Sequence, residues 1–119
     1  MYITKNCKEE IVLSCKNKDS GEVIDNLSSA TEIKFQFKDD LDSSAIIELK
    51  KTDSEIEVDT PDTGDIKLII LPAKSASVTT GNKIVGCEIT YSATDVREIE
   101  LTEKNRVVDT IEIKQERVT

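Results

Sequence analysis

The sequence predicts an all-β domain, a sandwich or barrel of short strands. Three observations carry this expectation: a core composition of branched aliphatics, a two-residue alternation of apolar and polar side chains, and polar turn residues between the alternating stretches. The chain of 119 residues holds fifteen Ile and nine Val against two Phe, two Tyr and no Trp. An interior filled by β-branched side chains suits a pleated sheet better than a helix. A chain of this length fits one domain, taken here as residues 1–119, and buries roughly two-thirds of the surface that it exposes when unfolded.

Residues 9–16 alternate Ile11, Leu13 and Cys15 against Glu10, Val12 and Ser14, the period of a half-buried strand. Residues 16–21 form a polar turn. Val23 and Ile24 follow, and residues 25–31 bridge to the next strand through side chains that favour local backbone hydrogen bonds. In residues 32–38, Ile33, Phe35 and Phe37 alternate without a break against Lys34, Gln36 and Lys38, the clearest strand in the chain. Further strands are expected over residues 45–50, 55–58, 65–71, 83–91, 96–101 and 106–114, eight in all. The connections 39–44, 59–64, 91–95 and 102–105 are rich in Asp, Ser, Thr, Asn or Gly, as tight turns require. Only residues 72–80 read as a helical turn.

Charge and residue inventory narrow the function. The 24 acidic and 16 basic residues give a net charge of −8 at pH 7, with lysines scattered among carboxylates. Such a surface repels a phosphate backbone and lacks the clustered cations and stacking aromatics of a nucleic-acid site. With no histidine, the commonest general base and the usual partner of a nucleophile are missing. The carboxylates fall in turns or on outward strand positions, so the expectation is a protein without catalysis and without a cofactor. In DTPDTGD, Asp59, Asp62 and Asp65 are clustered but lack the D-x-D-x-D-G pattern and distal glutamate of a calcium loop, and they read as a turn; KDD with Asp42 reads likewise. The longest aliphatic run, Leu68 to Leu71, stops at Pro72, far short of the roughly twenty residues of a spanning helix, and no membrane partner is expected. MYITKNCKEEIVLS shows no apolar stretch of the kind that marks a secretion signal. Cys7, Cys15 and Cys87 lack paired zinc-site spacing and read as reduced thiols.

Residues 18–38, KDSGEVIDNLSSATEIKFQFK, correspond to a turn of the form D-G-x-x-I-D-L-(S/T)-G followed by an alternating strand, with Asn26 interrupting the Asp-Leu pair and Ser29 at the place of the last glycine. The order continues through IIELKK, then TPDTGDIKLIILPAKSASVTTGNKIVGCEITY, where a glycine-started strand, a short helical turn and a second glycine lead into a long strand. It closes on REIELTEKNRVVDTIEIKQERVT as a last hairpin. Over nearly its whole length the chain thus resembles small immunoglobulin-like structural proteins of tailed bacteriophages and the related N-terminal domains of some baseplate proteins. The resemblance implies an immunoglobulin-like antiparallel β-sandwich of about 7–8 strands with at most one short helical turn. It also implies a virion structural protein, assembled in the host cytoplasm and present in several copies in a symmetric particle, that binds neighbouring capsid, neck or tail proteins. Loops at sandwich ends carry binding more often than packing, which makes Asp39, Asp40, Asp42, Ser92, Thr94 and Asp95 the candidate contact residues. The rival from another class is a cell-surface immunoglobulin-like adhesion module that binds protein or carbohydrate.

Cys15 and Cys87 both fall on the apolar alternation of their strands, which brings to mind the cross-sheet disulfide of immunoglobulin domains. Those domains also carry a core Trp and a Tyr two positions before the second Cys. Here there is no Trp and position 85 is Val, so two buried thiols are expected, with Cys7 more exposed.

Overall fold

The computed structural model describes residues 1–59, 63–104 and 106–115. Its strands are β1 (Tyr2–Thr4), β2 (Glu9–Asn17), β3 (Glu32–Lys38), β4 (Ile47–Lys50), β5 (Ile56–Val58), β6 (Asp65–Ile70), β7 (Gly81–Ser92), β8 (Asp95–Glu103), β9 (Arg106–Val107) and β10 (Thr110–Lys114). The fold is all-β. One layer has the order β4-β3-β7-β10-β1, the other β5-β6-β2-β8-β9. β8 belongs to both: its first residues, to Glu98, pair with β7, and Ile99 to Thr102 pair with β2. Hydrogen bonding therefore runs without interruption from one layer into the other.

Alternation does what the sequence predicts. Ile33, Phe35 and Phe37 point inward with Ile47, Leu49, Ile89, Ile111, Ile113 and Ile3 from one layer, against Ile11, Leu13, Cys15, Ile56, Ile66, Leu68, Ile70 and Leu101 from the other, all in one buried cluster. The orders β5-β6-β2 and β4-β3-β7 are those of the D-E-B and C′-C-F strands of an immunoglobulin sandwich. The departure comes after β7. β8 crosses to the second layer, turns through β9, and only then does β10 return to lie between β7 and β1.

Several boundaries differ from expectation. Residues 106–114, expected as one strand, are two, because β9 pairs with β8 in one layer and β10 with β7 in the other, and the chain changes layer at Val108 and Asp109. β1 was not foreseen, and its pairing with β10 is parallel, so the sandwich is not wholly antiparallel. The expected helical turn is α1 (Pro72–Ser75), with Pro72 in the first helical turn, where a missing N–H costs nothing. Two single 3-10 turns join it, Leu27–Ser29 and Lys51–Asp53. The first seats the buried Leu27 and the second closes on Ser54 in the left-handed region at φ 60°.

Cys7, Cys15 and Cys87 are thiols outside any disulfide, the last two buried and the first half-buried. Burial, reinforced by the neighbouring Cys15 and Glu88, pushes the Cys87 thiol well above its ordinary value of 9.0. Under native conditions iodoacetamide should modify Cys7 first, and Cys15 and Cys87 only on unfolding, as read by peptide mass. Because the native value is raised, the neutral-thiol contribution to stability is fully present below the unfolded value. It should be lost as pH rises from there toward the native value.

Candidate binding edge

The two loops that carry the expected contact residues do not form one surface. β3 and β7 are antiparallel, with Lys38 opposite Ile84 and Glu32 opposite Thr90, so the loop after β3 and the turn after β7 lie at opposite ends of that layer. Asp39 is committed inward: its Oδ1 lies 2.6 Å from Lys83 Nζ, which also donates to Thr79 Oγ1 at 2.9 Å. The Lys83 side chain is only 4% exposed, so Asp39 neutralises a cation on the inner side of β7. Asp40 accepts the backbone N–H of Asp42 at 3.0 Å, a local turn bond. Ser92 accepts the N–H of Thr94 at 3.3 Å. Asp95 grips Arg97 through two bonds of 3.0 and 3.1 Å, and Arg97 lies 4.8 Å from the Tyr91 ring centroid. The side chain that the loop after β3 offers to a neighbour is one the sequence did not single out, Leu41, 78% exposed.

Removing Asp39 strands a desolvated ammonium, whereas removing the ammonium leaves a half-exposed carboxylate that water can solvate. Asp39→Ala is expected to lose about 2 kcal/mol in urea unfolding, below the usual figure for a fully buried pair because the aspartate is half exposed, while Lys83→Met is expected to be neutral or stabilising.

Of the acidic run at 59–65, Asp62 lies outside the described residues. Asp59 accepts from Thr63 Oγ1 at 2.9 Å and Asp65 from Ser14 Oγ at 2.7 Å. Among the described residues no group of three or more metal-ligating side chains occurs.

A more open feature lies along β2. Cys15 donates its N–H to the Gly64 carbonyl at 2.7 Å, so odd-numbered residues of β2 turn their backbone toward β6, which pairs with Glu9 through Ser14. Even-numbered residues turn theirs the other way. On that side β8 pairs only with Ser14 through Asn17; Lys104, at φ 50°, ends the lane in a turn. Glu10 and Val12 thus direct their N–H and C=O groups into a stretch with no partner strand among the described residues. A groove of about 710 Å³ runs beside it, bounded by Met1, Tyr2, Thr4, Ile11, Val12 and Glu103. Val12 is 54% exposed. Carboxylates at Glu9, Glu10, Asp65 and Glu103 face one lysine, Lys104, on its rim. Glu10 meets Lys8 at 3.4 Å and Lys67 at 3.9 Å, and Glu9 Oε1 accepts the Thr4 N–H at 3.1 Å.

No side-chain pattern could have disclosed this edge. Glu10 and Val12 read as the solvent face of a strand, which they are; that the same residues also have no strand beside them on the β8 side, among the described residues, depends on where β8 stops. No family model, curated protein or solved structure matches the chain.

Proposed function

We propose that the protein is a non-catalytic structural component of a tailed bacteriophage particle, present in multiple copies, that docks neighbouring capsid, neck or tail proteins by extending its second layer at β2. The observation that carries the docking reading is the lane at Glu10 and Val12, which has no partner strand among the described residues. Exposed backbone donors and acceptors along a strand are a template for a partner's strand. The bacteriophage assignment rests on the chain-long resemblance in turn and strand order. The charge of −8 supports protein neighbours over the packaged genome, and repetition around a symmetric particle lets weak contacts act together.

Purified particles banded on a density gradient and analysed by mass spectrometry test the assignment. The protein is expected to band with capsid and tail proteins at a constant ratio. If it stays in the soluble lysate while those proteins band, the structural role is wrong and an adhesion module becomes the reading to pursue.

A further inference from the structure

Resting on the docking reading above, we infer that the lane beside β2 takes an extended segment of a different protein, basic at its outward positions and apolar at its inward ones, and not a second copy of this chain. Glu10 and Val12 offer two donors and two acceptors in line with the β8 ladder, and residues 9–13 span about 17 Å of strand. A segment of five or six residues fills that length. Its inward side chains meet Ile11, which is buried, and Met1, which packs against the core. Its outward side chains flank the exposed Val12 and meet the carboxylate rim.

That rim decides the partner's chemistry. Glu9 and Asp65 already accept hydrogen bonds from Thr4 and Ser14. Glu10 is held by two loose surface pairs, and pairs of this kind contribute little, so an incoming cation can replace them. Glu103 has no ion pair among the described residues. Two copies joined edge to edge along β2 would set these carboxylates against one another across neighbouring strands about 5 Å apart, a like-charge arrangement that opposes pairing, and each copy carries −8. A lysine- or arginine-bearing strand from another protein reverses that sign.

The test uses the full chain and two acetylated hexapeptides, one alternating lysine with valine and one alternating glutamate with valine. Binding is read by fluorescence anisotropy and occupancy by amide hydrogen exchange at Glu10 and Val12. The lysine peptide is expected to bind at least about tenfold tighter, with the preference shrinking as salt is raised, and to slow exchange at both amides. A Glu10→Lys, Glu103→Lys double variant with unchanged circular dichroism and thermal midpoint should lose or invert the preference. Equal binding of both peptides with both amides protected overturns the charge inference and leaves the docking edge standing. If neither peptide protects the amides, both the charge inference and the docking edge are overturned. Sedimentation as a dimer with the same amides already protected overturns the choice of a foreign strand in favour of a second copy.

Discussion

Phe35→Ala is expected to lose about 3 to 5 kcal/mol of unfolding free energy, the range for truncating a buried aromatic, and to leave a domain of this size close to its stability limit. Phe35 is fully buried in β3, between Leu49 of β4 and Cys87 of β7 in the ladder. Its ring meets Phe37 edge-on, with centroids 5.1 Å apart. Phe37 is the only other Phe in the chain, and there is no Trp. Lys34→Ala, one residue away on the outward face, should stay within about 0.5 kcal/mol of the parent. A Phe35→Ala midpoint in urea equal to that of Lys34→Ala would show the burial of β3 to be wrong.

Gly64→Ala is expected to lose about 2 to 4 kcal/mol, from a left-handed backbone penalty and from overpacking added together. Gly64 sits at φ 86°, and a Cβ there would run into Val23 Cγ1 and come within 2.9 Å of the Ile24 carbonyl oxygen. The valine side chain is half exposed and can swing aside. The Ile24 carbonyl cannot, because Ile24 donates its N–H to Cys15 at 3.0 Å and so ties that backbone to β2. Two controls separate the contributions. Gly21 has φ 73° with nothing near its missing Cβ, so Gly21→Ala should cost only the conformational part, about 1 kcal/mol. Gly86 has neither a positive φ nor a neighbour, and Gly86→Ala should be neutral or stabilising. Equal losses at Gly64 and Gly21 in thermal or urea unfolding would mean that the close approach to Ile24 does not exist.

The strands that were legible in the sequence are those with one side against the core over four or more residues, because only then does burial impose a two-residue period. β2, β3 and β6 show it in full. β1 has three residues and a single buried side chain, Ile3, too few to make a period. The break between β9 and β10 was invisible for a different reason. Residues 106–114 keep an extended backbone pattern across the change of layer, and side chains record which face is buried without recording which strand lies alongside.

Lys83 carried a signal that can be read in retrospect. It lies in phase with Val85, Cys87 and Ile89, so an inward lysine needed a carboxylate; but Asp39, at |i−j| = 44, could be found only from the fold. The same limit applies to the contact loops. Asp39 is an acidic loop residue as expected and Asp95 opens β8 instead, yet each is paired within the chain, and only the register of β3 against β7 reveals that the two lie at opposite ends.

The parallel pairing of β1 with β10 has a mechanical consequence. Tyr2, Ile3 and Thr4 lie beside Glu112, Ile113 and Lys114 and run in the same direction, so tension applied at Met1 and at Gln115 drags the two strands past each other along their length. The bonds between them lie across the line of pull and are loaded together, in shear, instead of opening one after another like a zipper. Pulling on the domain from both of these ends would first strain this short clamp, while the buried aliphatic layers behind it remain unloaded until it yields.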